Sequence, residues 1–392
     1  MKVKSLSIKM FKGLRDFNID FNDDVTVLIG ENGTGKTTIL ETVYNLLTSS
    51  SRFEGVSLKI EFNDSELKAI NNLNAFLKEH PLQKLDVLGG KDTFYDLEDC
   101  YKYEGSGNII YLPTEINFKK YKVESIKKYN SKKQFGEILS SNEISENLKN
   151  YLVYQHYRDL EDKESGKKTN RIKKYKELYN SFFEDKEFIG IKDLEPLFKI
   201  KATGETHSVD ELSSGEKQIF FRAGSILEYE LDNSIILIDE PEISMHPEWQ
   251  QKILDFYRKI AGASNQLIIA THSPHIISSC KKEEVRALIK DEDKIRINEN
   301  IEGTYGRTVE QLLLSLFDLK SVRYEKIQIK LDEFKKLYTN KDALSEGEKK
   351  KLENIKNELY KYLDPNDPEL SLADMDDATE RLKKLMNELK VN

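Results

Sequence analysis

Gly30-Glu31-Asn32-Gly33-Thr34-Gly35-Lys36-Thr37 decides the fold. The run before it, Val25-Thr26-Val27-Leu28-Ile29, predicts a strand buried on both faces. After it, Thr37 to Leu47 carries Ile39, Leu40, Val43, Leu46 and Leu47 on one side of a predicted helix. Strand, glycine-rich loop and helix in that order fit the phosphate-binding loop pattern. The glycines let successive backbone N–H groups turn onto the β- and γ-phosphates of a nucleotide, where a side chain would clash. Lys36 supplies a point charge to the same phosphates, and Thr37 offers its hydroxyl to Mg²⁺. Asn32, Gly33, Gly35, Lys36, Thr37 and Thr38 are therefore the expected ATP-binding residues.

A second apolar strand, Ile235-Ile236-Leu237-Ile238, ends in Asp239-Glu240. Parallel α/β sheets bind ligands at the carboxyl ends of their strands. Asp239 can then join Thr37 in holding Mg²⁺, and Glu240 can orient the attacking water or take its proton. Upstream, Leu212-Ser213-Ser214-Gly215-Glu216-Lys217-Gln218 opens a helix with small polar residues. That is a second anion cradle, and also a helix N-cap by Ser213 or Ser214. One active site rarely needs two such cradles on one subunit. A third buried strand, Gln266 to Ala270, leads into Thr271-His272-Ser273.

The remaining sequence bounds the class. A chain of 392 residues predicts two or three structural units, and 38% apolar residues suffice for a packed interior. The net charge of −8 argues against a surface built throughout for nucleic acid. The two cysteines, Cys100 and Cys280, are in no metal-ligand spacing and imply a reducing compartment. No stretch is long and apolar enough for a membrane span or signal core, so a cytoplasmic protein is expected. Two stretches are strongly basic: Asn117 to Lys133, seven lysines against Glu124, and Lys163 to Lys176, six lysines and Arg171 against Glu164. With Tyr121, Tyr129 and Tyr175 interleaved they read either as a nucleic-acid contact or as solvated basic helices.

Four segments are expected: residues 1–116, the first part of the head with the phosphate loop; 117–186, a helical insertion without apolar strands; 187–320, the second part of the head; and 321–392, a helical tail. In the tail Ile327, Leu331, Phe334 and Tyr338, then Leu352, Ile355, Leu359 and Tyr362, recur at helical spacing, and Met375, Leu382, Leu385 and Leu389 predict a third helix. Ser345-Glu346-Gly347-Glu348-Lys349 imitates the earlier serine–glycine segment by letters, but reads as a capping box between two tail helices. Narrow apolar stripes suit either assembly and partner docking or a simple helical cap.

Taken together, the four motifs resemble those of ABC-type ATPases. The resemblance implies an α/β P-loop ATPase head with a helical insertion and a C-terminal helical hairpin. It also implies that Ser213, Ser214 and Gly215 form a signature reading the γ-phosphate of ATP on the opposite subunit, and that His272 is the switch histidine. His246, where transporter-type ATPases usually carry aspartate, points towards the branch of DNA-repair heads and phage-defence ATPases. Asp239-Glu240-Pro241-Glu242-Ile243-Ser244-Met245-His246-Pro247, Thr271-His272-Ser273-Pro274 and Tyr305-Gly306-Arg307-Thr308-Val309 resemble the Septu-type (PtuA-like) anti-phage ATPases, related to overcoming-lysogenisation-type and RecF/SMC-type heads. That family implies a homodimer or higher homo-oligomer working with a separately encoded HNH nuclease effector. The alternative is a RecF-like DNA-repair head that clamps DNA. No histidine follows His275, so an HNH centre cannot lie in the tail, and Asp374-Met375-Asp376 has only the letters of a Toprim site. Gln134 and Gln155 are candidates for the glutamine that usually senses Mg²⁺.

Overall fold

The computed structural model describes residues 1–48, 53–71, 85–88, 107–114, 118, 120–129, 137–138, 144–229, 231–292, 294–317, 319–364 and 367–370. The chain divides into two compact units, Met1–Leu312 and Leu313–Asn392.

The first unit is built from strands β1 (Lys2–Phe11), β2 (Leu14–Asp20) and β3 (Val25–Gly30), helix α1 (Lys36–Thr48), β4 (Val56–Glu61), α2 (Asp64–Asn71), β5 (Leu85–Leu88), β6 (Ile109–Leu112) and β7 (Glu137–Ile138). Helices α3 (Ile144–Glu164) and α4 (Lys173–Phe182) follow, then β8 (Lys186–Lys192), β9 (Glu195–Ile200) and β10 (Thr206–Ser208). Helix α5 (Ser214–Lys217) runs on through a π-helical turn, Gln218–Ala223. Then come β11 (Ile235–Asp239), α6 (Pro247–Ala261), β12 (Gln266–Thr271), α7 (Pro274–Ile277), β13 (Val285–Asp291) and β14 (Lys294–Asn298). Helix α8 (Val309–Leu316) begins in the first unit and continues past its last residue, Leu312.

The central sheet has the order β14-β13-β3-β12-β11-β6-β7. All its pairings are parallel except β13 with β14. Its inner strands β3, β11 and β12 are buried at every residue, as expected of strands covered on both faces. Ile29 pairs with Thr271, Ala270 with Asp239, and Ile238 with Leu112. This register lines up the carboxyl ends of four neighbouring strands. The phosphate loop, the His272 turn, the Asp239-Glu240 pair and the Pro113-Thr114 turn thus share one edge of the sheet. An antiparallel sheet, β2-β1-β4-β5, packs with α1 against the central sheet; Leu6, Phe17, Ile39, Leu40, Leu58 and Leu237 belong to their common core.

The insertion departs from the sequence reading in one respect. β7 lies inside it and pairs in parallel with β6, although no apolar strand was expected there. Two residues make the pairing through their backbones, so alternation of side chains leaves no trace. Helix α4 joins the antiparallel sheet β10-β9-β8 and the π turn through aromatic rings: Tyr179 stacks on Phe220 at 4.8 Å and meets Phe188 of β8 edge-on at 5.5 Å. Of the tyrosines interleaved in the basic stretches, Tyr121 and Tyr129 are half-buried. Tyr175 is fully buried, and the Tyr129 hydroxyl donates to Glu228 Oε2 at 2.6 Å. Arg171 is paired with Asp159 and Asp162. Among the described residues no helix is long and apolar enough to cross a membrane.

In the second unit α9 (Glu325–Thr339) and α10 (Glu346–Leu359) form an antiparallel-type hairpin core of Leu331, Phe334, Ile355, Leu359 and Leu370. Arg323 pairs with Asp367 at 2.7 Å. The expected third helix with Met375, Leu382, Leu385 and Leu389, and Asp374-Met375-Asp376, lie outside the described residues.

Candidate active site

The phosphate loop bridges β3 and α1 in a conformation only its glycines permit. Gly30 has φ +150°, and a Cβ there would stand 2.5 Å from Leu288 O and 2.8 Å from Thr34 Oγ1. Lys36 is buried, and its ammonium donates to Gly30 O at 2.9 Å and Glu31 O at 3.0 Å. Burial lowers its pKa to about 8, against the opposing pull of Glu240, Asp239 and Glu242. The cation is thus parked on the loop's own carbonyls, at the centre of the cradle. Asn32, Gly33 and Thr37 are exposed on the loop, and Thr38 is half-buried.

At the end of β11, Asp239 Oδ2 accepts from Thr37 Oγ1 at 2.8 Å and from Thr114 Oγ1 at 2.7 Å. Its other oxygen, Oδ1, is buried and has no hydrogen-bond partner among the described residues. A buried carboxylate oxygen without a donor, beside two hydroxyls, is a hard-oxygen set that fits Mg²⁺. Glu240 follows in a left-handed backbone, φ +45°, with its N–H donating to Ala270 O at 2.8 Å. Burial, then Glu242 and Asp239, raise its pKa. His272 Nε2 stands 3.5 Å from Glu240 Oε1, and its Nδ1 stands 3.4 Å from Lys36 Nζ. Burial and the Lys36 charge lower the His272 pKa, which favours the neutral imidazole.

Two residues here carried no role in the sequence reading. Glu242 Oε1 accepts from Thr271 Oγ1 at 2.6 Å, His272 N at 2.8 Å and Ser273 N at 3.1 Å, and so fixes the turn bearing the histidine. Thr114 donates to Asp239; the candidates for a glutamine that senses Mg²⁺ were Gln134 and Gln155. Gln134 lies outside the described residues, and Gln155 is on α3, which packs on β8, β9 and the helix after Ser213. A polar residue just past the apolar run of β6, Ile109–Leu112, was the available signal.

The second cradle is built differently. Ser213 caps α5: its Oγ accepts from Glu216 N at 3.3 Å, and Ser213 N donates back to Glu216 Oε2 at 2.7 Å. Glu216 is buried and ion-paired with Lys186 of β8. Burial opposes its charge, but Lys186 and the Ser213 donors outweigh that and hold its pKa low. Ser213 and Ser214 are exposed. Among the described residues no hydrogen bond or ion pair joins Ser213, Ser214 or Gly215 to the Lys36–Asp239–Glu240 cluster. His246 is the N-cap of α6, its Nδ1 accepting from Glu248 N at 3.4 Å, with Pro247 at the first helical position.

A family model described as "AAA domain, putative AbiEii toxin, Type IV TA system" matches residues 25–278. The Septu protein PtuA of Bacillus thuringiensis is 25% identical to the chain, over 93% of this chain and 95% of that protein. The DNA replication and repair protein RecF of Staphylococcus carnosus is 24% identical, over 88% of this chain and 87% of that protein. Among solved structures, a Smc head domain with an extended coiled coil, from Pyrococcus furiosus, aligns with a TM-score of 0.48 at 12% identity, covering 76% of this chain and 96% of that one.

Proposed function

From the premise that the chain belongs to this AAA family and is an ATPase of the AAA/ABC superfamily, we propose that it binds ATP with Mg²⁺, closes head to head around the nucleotide, and controls a separately encoded nuclease effector in anti-phage defence. The observation that carries the chemistry is the cluster of Lys36, Thr37, Asp239, Glu240 and His272 at the aligned ends of β3, β11 and β12. The defence role rests on likeness to the Septu protein along nearly the whole of both chains. An HNH nuclease is the effector that this resemblance implies.

In this reading Lys36 exchanges the carbonyls of Gly30 and Glu31 for the β- and γ-phosphate oxygens. Thr37 and Asp239 hold Mg²⁺, with Thr114 beside them; the ion would draw charge from the phosphate oxygens. Glu240 takes a proton from the water that attacks the γ-phosphorus, the bond to the β–γ bridging oxygen breaks, and ADP and phosphate leave. A carboxylate with a raised pKa suits that proton transfer. Ser213, Ser214 and Gly215 reach the γ-phosphate held by the other subunit. The exposure of Ser213 and Ser214, and the separation of all three from the cluster of their own chain, support that composite arrangement.

Glu240→Gln and Lys36→Ala test the assignment. The first should retain ATP binding while turnover falls on the order of a thousandfold, and should trap a closed dimer; the second should lose binding itself. Undiminished hydrolysis by Glu240→Gln overturns the assignment of the base. Likeness to RecF favours a DNA-clamping role as second reading. Stimulation of the lone chain's turnover by DNA would support it, whereas co-purification with a nuclease supports defence.

A further inference from the structure

Arg222 is fully buried in the π-helical turn that follows the exposed serines. Its guanidinium bonds to main-chain carbonyls at the ends of two neighbouring strands. Nη2 donates to Asp239 O at 2.8 Å, Pro113 O at 3.2 Å and Leu112 O at 3.3 Å, and Nη1 donates to Glu240 O at 3.2 Å. Its Nε is buried without a partner among the described residues. A buried cation whose hydrogen bonds are all to neutral groups is costly. The opposing charges around it are the carboxylates of Asp239 and Glu242.

Its targets explain the expense. Leu112 and Pro113 precede Thr114, and Asp239 and Glu240 are the carboxylate pair. Glu240 has the left-handed backbone, φ +45°, that a glutamate resists. Such a conformation persists only where the surroundings over-determine it. Here three bonds do so: Glu240 N–H to Ala270 O at 2.8 Å, Ile243 N–H to Glu240 O at 3.4 Å, and Arg222 Nη1 to Glu240 O at 3.2 Å. The π turn is itself a departure from the regular helix, of a kind concentrated at functional sites.

We propose that Arg222 is a positioning residue, a fork on the signature helix that holds Glu240 and Thr114 in their working places within its own subunit. This rests on the composite-site reading above, since only there do the signature and the carboxylates of one chain serve different nucleotides. Loss of the fork frees the carboxylates while leaving the Lys36 cradle whole. Turnover therefore falls and nucleotide affinity does not.

The experiment uses Arg222→Met and Arg222→Lys in the full chain. In homodimers of Arg222→Met, kcat should fall about a hundredfold, the loss expected of a misplaced catalytic group, with the dissociation constant for ATP unchanged. Arg222→Lys restores the charge without the fork and should recover part of the rate. Mixed dimers then separate positioning from general damage to the helix. Arg222→Met mixed with Ser213→Arg leaves one site with sound carboxylates from the second chain and the signature of the first, and should regain activity. Arg222→Met mixed with Lys36→Ala leaves only a site using the unsupported carboxylates, and should not. If Arg222 merely shapes the signature helix, the pattern reverses and the proposal falls. An unchanged kcat overturns it as well. If Arg222→Met does not fold, Arg222→Lys carries the same mixtures. The control mixture, Lys36→Ala with Ser213→Arg, must regain activity; its failure counts against the composite-site reading, and the kcat and affinity measurements then decide Arg222 alone.

Discussion

Ser213-Ser214-Gly215-Glu216-Lys217 and Ser345-Glu346-Gly347-Glu348-Lys349 differ at one residue type in five, and both open a helix. Each has a serine N-cap and a glutamate at the third helical position that returns the bond: Ser213 N to Glu216 Oε2 at 2.7 Å, Ser345 N to Glu348 Oε2 at 2.9 Å. The local chemistry is the same and the tertiary setting is not. A Cβ on Gly215 would stand 2.5 Å from Ser244 O and 3.3 Å from the Trp249 ring, whereas one on Gly347 would meet nothing within 4 Å. Glu216 is buried on Lys186, and Glu348 is exposed. A capping box is written in four residues; a signature is made by what packs beneath it.

The largest contrast is expected in turnover. Ser213→Arg and Ser345→Arg each remove a cap at a cost of about 1 kcal/mol, so their stabilities should drop alike. Only Ser213→Arg places a bulky cation where the partner's γ-phosphate is to be read. ATP turnover should fall on the order of a hundredfold or more for it, as when a donor to a reacting group is removed, and stay at the native rate for Ser345→Arg. Steady-state phosphate release measures both. Equal losses would erase the distinction drawn between the two segments.

Next comes the glycine pair. Gly215→Ala forces a methyl into backbone at Ser244 and should destabilise by ~1–3 kcal/mol. Gly347→Ala enters open space on a helix and should stabilise by up to about 1 kcal/mol. Urea unfolding, followed for the first by fluorescence of Trp249, the single tryptophan, reads each sign. A tolerated Gly215→Ala would mean that the segment after Asp239 can retreat from the signature.

These contrasts show where the sequence was legible. Buried parallel strands announce themselves in unbroken apolar runs, so β3, β11 and β12 and the residues at their ends could be read directly, from Lys36 to Asp239 and His272. Residues that act through backbone geometry leave no such mark. Arg222 is one basic residue in an aromatic stretch until the π turn aims it at four carbonyls. Thr114 becomes notable only when β6 is seen beside β11. Glu242 lay in a quoted segment, but its grip on Thr271, His272 and Ser273 joins positions 29 to 31 residues apart. Tyr175 was illegible for the converse reason, since a basic neighbourhood in sequence does not say which face of a helix is buried.

The smallest expected effect lies in pH. Glu216 has a pKa below its ordinary value of 4.5, because Lys186 and the Ser213 donors outweigh its burial. A carboxylate depressed in the folded state adds stability above its unfolded pKa, and that stability is lost as the pH falls through the folded value. Glu216→Gln removes the charge and leaves Lys186 unpaired. At pH 7 it should cost about 1–2 kcal/mol, less than the loss for a fully buried pair, because 18% of the Lys186 side chain remains in water. Below pH 4.5 the native carboxyl begins to protonate, so the gap between native protein and Glu216→Gln should narrow with each step down. Glu348 is also held low, by Ser345, but it is exposed and solvent screens its interactions. Glu348→Gln should therefore track the native protein closely from pH 7 to pH 4. Urea midpoints for the three proteins across that range make the measurement. A gap for Glu216→Gln that stays constant into acid would mean that its cost comes from packing and not from the ion pair, and that the signature segment is held by shape alone.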